Sequence, residues 1–483
     1  MVSFRILSLA GLIIYFAVLL VSVVHEQRNH TVVDYFFAGR TLPFWALSIT
    51  FIASWWGAGS TLSTADLAFA DGMAAFWYYG VPVLVSTFLM ILSAKKIRRV
   101  AYLTQGKMME ARYSTSVAKF LSVMILVFMT ITAASQMVGI GDFFGTYLKL
   151  DYEVAVILGT AVVLVYSIFG GFRGVVLTDI IQFVLLLISA LIVFVVAMWN
   201  ADGFAGIQAA SEALNKPDFL NPIAGASKYF MYVITFGCAW MIQANVWQRI
   251  SAARTSEDAR KMTILSFLVF IPLYLIVVFT GMAGICMFDE LPQGGVVVGI
   301  VLEYLSPLVG SVVFIGISAA IMSTMDSLIN TASMTLIMDL SPFHTSEEKK
   351  VQHSKYATLL VIIVALFIAM KIRSILEISW LASDIITTGV FVPLVGGFLW
   401  KKGNSKGAMA SMLCGFLYSM YNLLISLQIP LPSFWQPQSV EQVILGIALS
   451  FVIYIVVSLC TKEEDTKAQA FIAMSKGSQD EKS

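Results

Sequence analysis

"AAIMSTMDSLINTAS", residues 319–333, sets Ser323, Thr324, Asp326, Ser327, Asn330 and Thr331 between the apolar stretches "VVFIGIS" and "MTLIM". Read as helix, Ala320, Ser323, Thr324, Ser327 and Thr331 fall at i, i+3, i+4, i+7 and i+11, which is one face. Asn330 lies at the margin of that face and Asp326 flanks it. A lone hydroxyl in an apolar helix commonly bonds back to its own backbone or to a neighbouring helix. A stripe of hydroxyls beside a carboxylate points instead to a cavity or a bound group. Oxygen donors without thiol or imidazole suit a hard cation.

The rest of the chain gives that helix its setting. Of 483 residues, 59% are hydrophobic and 12% charged, half the roughly 25% charge of a soluble domain. Apolar runs of about 20 residues recur, each long enough to cross a hydrocarbon layer of about 30 Å as helix. The fold class is therefore an all-α polytopic membrane protein in the lipid bilayer. A net charge of +1 offers no basic surface to nucleic acid. Cys238, Cys286, Cys414 and Cys460 form no CxxC pair and fall in or beside apolar segments, which reads as buried free thiols. His25, His30, His344 and His353 lie in polar segments between spans, so no His–metal or His–nucleophile centre, and no enzyme, is expected.

The apolar runs predict thirteen helices, near 5–25, 43–71, 74–95, 114–147, 152–169, 174–199, 229–250, 262–287, 306–338, 356–372, 378–400, 407–427 and 438–460. The run at 5–25 is too long, and its "VSVVHEQ" end too poor a cleavage site, for a signal peptide. Alternate loops then carry 24 of the 30 Lys and Arg. They include "KKIRR", "GGFRG", "RISAARTSEDARK", "EEKKVQHSK" and "KKGNSK". Arg5, Lys149, Lys216, Lys228, Lys371 and Arg373 fall on the other side. The positive-inside bias makes the first side cytoplasmic, with the N-terminus outside and the C-terminus inside. The cytoplasmic tail 461–483 is polar and reads as disordered.

Two further places put polar groups inside the membrane. In "GGFRGVVLTDIIQ", 170–182, Gly170 and Gly171 make a turn and Asp179 lies about two helical turns beyond, with Thr178 and Gln182 near it. The plain reading is a carboxylate paired with Arg173; the alternative is a cation ligand. In "FIASWWGAGSTLSTADLAFADG", 51–72, Gly57 and Gly59 sit among Ser54, Ser60, Thr61, Ser63 and Thr64, a composition that favours an unwound segment. Free carbonyls there can hold a cation. "TFGCAWMIQANVWQR", 235–249, is a weaker equivalent five helices later. Two interrupted helices so spaced indicate an inverted-repeat transporter with a midplane site. Trp77 and its neighbours read as an interfacial belt, whereas Trp55 and Trp56 beside the break are too deep for one. Ser379, Ser383 and Asp384 in "SWLASDIITTGVF" are further pocket candidates.

These stretches resemble the sodium:solute symporter family, which includes proline, pantothenate, sialic-acid, sugar and choline carriers. "GGFRGVVLTDIIQ" is similar to its "GG…TD…Q" pattern and "AAIMSTMDSLINTAS" to its pattern of Ala, two hydroxyls and a further Ser. "DYFFAGRTLPFW" and "ISWLASDIITTGVFVPLVGGFLWKKGNSKGAMASMLCGF" resemble its first core helix and its late helices, so the resemblance spans about 30–427. It implies a five-plus-five inverted-repeat core over 43–400, an added N-terminal helix at 1–25 and two C-terminal helices at 407–460. It implies a sodium (Na+) site made by the carbonyls of Ala53, Trp56 and Ala320 with the hydroxyls of Ser323 and Thr324. A second cation site would use Asp179, Asp326 and Ser327 beside Ser323. The solute-facing candidates are Trp55, Ser60, Tyr79, Gln136, Trp240, Gln243 and Ser383. Choline carriers share a Trp at position 55 but place another Trp where Gln243 stands, and the span 114–147 shows no intramembrane Arg or Lys of the kind that would hold a carboxylate.

The expected function is import of a small polar organic solute across the plasma or inner membrane, driven by sodium, with no organic cofactor and the monomer as the working unit. A proton could replace sodium, carried by Asp179 or Asp326. A solute sensor of the same fold is the alternative outside transport.

Overall fold

The computed structural model describes residues 2–25, 31–100, 102–341, 346–426, 441–461 and 466–477. His30, His344, the first residues of the span read at 438–460 and the last residues of the tail lie outside the described residues. No strand occurs among those described, and twenty α-helices follow one another.

α1 (Val2–His25) leads to a short α2 (Val32–Phe37), whose N-cap Thr31 hydroxyl accepts the Asp34 amide at 3.0 Å. The run read at 43–71 is broken into α3 (Phe44–Ala53) and α4 (Thr64–Asp71), with a π-helical turn at Gly59–Ser63 between them. α5 (Val81–Arg99), α6 (Gln105–Arg112) and α7 (Thr115–Leu148) follow. α8 (Tyr152–Asn200) has 49 residues, about 73 Å of helix at 1.5 Å per residue, more than twice a bilayer core. It is kinked at Gly171, where φ is 54° and ψ −166°, a conformation that residues with a Cβ rarely adopt. The two glycines expected to turn the chain thus divide one continuous element into two lengths.

α9 (Gly203–Ala213) precedes α10 (Gly225–Met241) and α11 (Ala244–Ala252), a pair bent by 45°. Then come α12 (Ser256–Ala283), α13 (Val296–Tyr304) and α14 (Pro307–Thr335), which contains the hydroxyl stripe. α15 (Glu347–Lys371), α16 (Ile375–Ile386), α17 (Val392–Leu399), α18 (Ser405–Ser426), α19 (Glu441–Cys460) and α20 (Thr466–Lys476) complete the chain. Among the described residues nine helical stretches are long and apolar enough to cross a membrane, and the bent pair makes a tenth. Phe44–Ala53 and Tyr152–Ile168 are apolar but shorter.

Three helices that start on the basic side begin at hydroxyl caps: Thr104, Ser114 and Thr255 accept the amides of Lys107, Val117 and Asp258, which satisfies donors that a helix start leaves free. Arg112 closes the same side. Its guanidinium donates to the carbonyls of Gly397, Trp400 and Gly403, each at 2.9 Å, so the end of α17 is not left with bare acceptors.

Three expectations are corrected. The four thiols are free but none is buried: Cys238, Cys286 and Cys414 are partly exposed and Cys460 is exposed, because an apolar helix in a membrane turns part of its surface outward. Part of the tail read as disordered is α20, which buries Ala468, Phe471 and Ile472 and sets Phe471 edge-on to Phe398, centroids 5.0 Å apart. Apolar residues at i, i+3 and i+4 gave that short segment a face to dock. Arg249, counted with the basic loops, is fully buried.

The core centres on α14, buried on all sides from Gly316 to Thr335 and packed chiefly on α8 and α7. Close approach here depends on the absence of a side chain. A Cβ on Gly316 would fall on the Ser189 hydroxyl and 2.5 Å from the Leu185 carbonyl oxygen, and the backbone oxygen cannot yield as a flexible side chain would. Gly316→Ala is expected to cost about 1–3 kcal/mol through overpacking, read as a lower unfolding midpoint in detergent. An unchanged midpoint would mean that α8 and α14 are not held at this spacing.

Candidate functional site

α3 ends at Ala53 because the regular helix is lost across Ser54–Gly57 and resumes at Ala58. The break frees backbone groups inside the protein, and each needs a partner. Thr324 of α14 donates to the Ala53 carbonyl at 3.0 Å, with Ser323 Oγ 3.4 Å from the same oxygen. The Ala320 carbonyl lies 3.4 Å from Thr324 Oγ1. On the far side of the break, the Ala58 amide donates to Gln136 Oε1 at 2.9 Å. Gly57 permits this crowding: a Cβ there would fall on the Gln136 oxygen and lie 3.0 Å from Thr324 Oγ1.

Four of the residues assigned to one cation site, Ala53, Ala320, Ser323 and Thr324, therefore meet. Their donors are two carbonyls and two hydroxyls, a set that fits a hard monovalent cation and no soft metal. Trp56 lies in the same break with its indole tilted on Tyr274, centroids 4.7 Å apart.

The residues read as a second cation site do not all meet. Asp179 of α8 is fully buried and accepts hydrogen bonds from Thr50 of α3 and Ser323 of α14. Its charge faces Arg249 of α11, Nη2 to Oδ2 3.6 Å, and not Arg173, which donates to Thr41. Arg249 also donates to Ser327 at 2.6 Å, to the Asn245 carbonyl at 2.8 Å and to Thr50 at 3.2 Å, and stands 5.2 Å over the Phe172 ring. Asp179, Ser323 and Ser327 are thus joined around a guanidinium. Asp326 turns the other way, where Ser167 donates to its Oδ1, while Oδ2 has no hydrogen-bond partner in the protein. The opening stretch ends against α11 as well: Thr331 donates to Gln248, and Gln248 to Asn330.

A cavity of about 430 Å³, mouth included, shares Ser54 and Thr324 with these clusters. Trp55, Tyr79, Gln136, Trp240, Gln243 and Ser383 line it, together with Ser54, Thr132, Thr324 and Ser379. Trp55 donates its indole N–H to Gln243, at the break between α10 and α11. Tyr79 tilts on Trp240 at 4.8 Å, and Trp240 stacks flat on Phe236 at 4.7 Å. Ser60 is buried behind the wall, bonded to the Trp55 carbonyl and 2.9 Å from the Tyr274 hydroxyl. Thr324 belongs both to the cavity lining and to the oxygen cluster.

Sequence reading passed over Thr50 and Arg249. A signal was present for Arg249: Asn245, Gln248 and Arg249 fall at i, i+3 and i+4, the same kind of polar face as the stripe on α14. Assigning 249–261 to a loop concealed it.

A family model, "Sodium:solute symporter family", matches residues 35–415. The chain belongs to this family. A "Sodium/proline symporter" of Staphylococcus aureus is 26% identical over 93% of this chain and 92% of its own. The "Osmoregulated proline transporter OpuE" of Bacillus subtilis is 25% identical over 93% and 94%. A "Sodium/glucose cotransporter" of Vibrio parahaemolyticus is 23% identical over 89% and 85%. Among solved structures, a Na+-coupled sialic acid symporter in a substrate-bound outward-open state superposes with a TM-score of 0.79 at 17% identity, over 94% of this chain and 98% of that one. MHP1, a nucleobase-cation-symport-1 transporter, gives 0.57 at 10% identity, over 90% and 97%. These two establish a shared fold. The family and its relatives are transporters.

The buried pair makes its own prediction. Arg249→Met strands the Asp179 charge and should cost about 3–5 kcal/mol, whereas Asp179→Asn with Arg249→Met should recover most of that loss. Unfolding midpoints of the two proteins in one detergent test it. Equal losses in the single and the double variant would show that the two charges do not depend on each other.

Proposed function

We propose that this protein is a sodium-coupled symporter importing a small polar solute by alternating access. The observation that carries the proposal is the convergence of the Ala53 and Ala320 carbonyls with the Ser323 and Thr324 hydroxyls at the broken helix. Sodium is cargo here. Ala53, Ala320, Ser323 and Thr324 would hold it, with the Trp56 carbonyl from the same break. Binding there would tie α3 to α14 and fix Thr324, which also faces the solute. Each ligand then favours the arrangement the other needs, and the coupling is reciprocal.

The solute cavity has no charged lining side chain. It would suit a molecule with zero net charge, a polyhydroxylated or zwitterionic solute, because an unpaired ionic charge in a dry site is costly. Trp55, Tyr79 and Trp240 would take its apolar or cationic part, and Gln243 and Ser383 its hydrogen-bonding groups. We further propose thirteen spans with a five-plus-five inverted repeat, whose first helices are the broken α3–α4 and α10–α11 pairs. The basic side would be cytoplasmic, the N-terminus outside, and the monomer the working unit.

Thermal-shift measurements on the purified protein with L-proline, glucose, sialic acid and choline, each with and without sodium, will identify the solute, since a ligand of the folded state raises apparent stability. The expected signature is a shift that needs both ligands. Solute shifts identical in sodium and in choline-free potassium buffer would exclude sodium coupling.

Ser323→Ala with Thr324→Ala should raise the sodium concentration for half-maximal response about ten- to a hundredfold, the loss of one or two hydrogen-bonded ligands to a charge. Trp55→Ala should weaken the solute by about 1–2 kcal/mol and leave binding of radioactive sodium alone nearly unchanged. Sodium dependence unmoved in the double variant, or solute affinity unmoved in Trp55→Ala, would each defeat the corresponding assignment.

A further inference from the structure

We propose that Asp384 is an exchangeable proton site at the interface of α16 and α18, separate from the oxygen cluster at the broken helix. Asp384 is only 3% exposed. Ser419 of α18 donates to its Oδ2, while Oδ1 has no hydrogen-bond partner in the protein. Beside it on α18, the Tyr418 hydroxyl and the Asn422 amide nitrogen, on a residue 6% exposed, lie near each other but form no well-aligned hydrogen bond. One carboxylate oxygen is thus left unpaired next to Ser419 and Tyr418 of the neighbouring helix. Native proteins pair the large majority of buried polar atoms, so an unpaired oxygen on a carboxyl group calls for an explanation.

The charge cannot be met locally. Asp179 has Arg249, but among the described residues no basic side chain pairs with Asp384. Of the helices packed on α16, α18 presents Ser419 and Tyr418 to the carboxyl group, and α7 and α10 add no charged group to its surroundings. An ionised carboxylate with a dry, unpaired oxygen costs several kcal/mol, and a proton on that oxygen removes the cost. The neighbouring groups are hydroxyls and an amide N–H, donors that a carboxylic acid and a water can satisfy. A bare cation would need oxygens on every side.

Ser383, the preceding residue, lines the cavity about 100° around α16 from Asp384, so the carboxyl group reaches water there only when the helix rewinds. The π-helical turn Thr387–Phe391 begins one helical turn later, and such turns mark places where a helix readily changes its winding. Thr388 there donates to the Asp384 carbonyl at 2.9 Å and lies 3.1 Å from the Gly415 carbonyl of α18. When α16 shifts against α18, the carboxyl O–H would ionise, its proton passing to water in the cavity and its electron pair staying on the carboxylate.

The test is infrared difference spectroscopy of the full chain in lipid nanodiscs, titrated with acid and base; the proton itself is the probe. Wild type should show a carboxylic-acid C=O band that disappears as pH rises, and Asp384→Asn, nearly isosteric and still able to accept from Ser419, should lack it. Ser419→Ala, which removes the one hydroxyl donated to the group, should change the pH at which the band disappears and serves if Asp384→Asn does not fold. The proposal is overturned if the Asn variant retains the same titrating band, if the wild-type band persists at every pH, if Ser419→Ala leaves the midpoint unmoved, or if the Asn variant instead loses stoichiometric sodium binding.

Discussion

A helix broken inside a membrane must find partners for the backbone groups it releases, and the site in this protein follows from how that requirement is met at Ala53–Ala58. The Ala53 carbonyl takes hydroxyls from α14, and the Ala58 amide takes the Gln136 carbonyl. Unsatisfied, each group would cost several kcal/mol in hydrocarbon. The groups that satisfy the break are also those that can bind a cation: hydroxyls and carbonyls lose little when a hard ion replaces one hydrogen-bond partner with another. Gly57 is indispensable to the geometry because Gln136 and Thr324 both press on its Cα face.

Much of this was legible from residue type and spacing. The one-sided stripe on α14, the glycines among hydroxyls after Ala53, and the Gly170–Gly171 punctuation each encode a local physical event, and each occurs where the pattern puts it. What was hidden depends on long-range packing. Arg249 reads as one more cation in a basic segment, since positive-inside counting assigns by neighbourhood and not by depth. Its burial becomes apparent only when Asp179, Thr50 and Ser327 from three other elements surround it. Asp326 shows the converse: it sits within the stripe, but a helix turns it about 100° per residue, so it faces Ser167 and not the Ser323 cluster. The tail carried too few apolar residues to predict α20, which is stable through its dock on Phe398.

The shared position of Thr324 bears on how two ligands would influence each other. It is both a wall residue of the cavity and a donor to the Ala53 carbonyl. A group bound among the oxygens need not touch the solute to alter its affinity; it suffices that the Thr324 rotamer and the end of α3 are fixed, because ordering them beforehand removes that cost from the second binding event. The indole of Trp55, held by Gln243 across the other broken helix, ties the same wall to α10 and α11. The two breaks are therefore linked through one side-chain hydrogen bond.

That arrangement separates what can move from what cannot. α14 meets α8 at Gly316 with backbone in contact, so sliding there would force atoms into overlap. α3 and α11 are held to α14 by hydrogen bonds that Thr324, Thr331, Gln248 and Arg249 donate, the last to Ser327, each of which water can replace once the basic side admits it. Close-packed backbone resists displacement in every direction, whereas a polar network fails all together when solvent enters. Opening toward the basic side should therefore carry α3 and α11 away from a fixed α8–α14 frame. The Asp179–Arg249 pair would oppose that motion, because its two charges are costly to separate dry and inexpensive to separate wet.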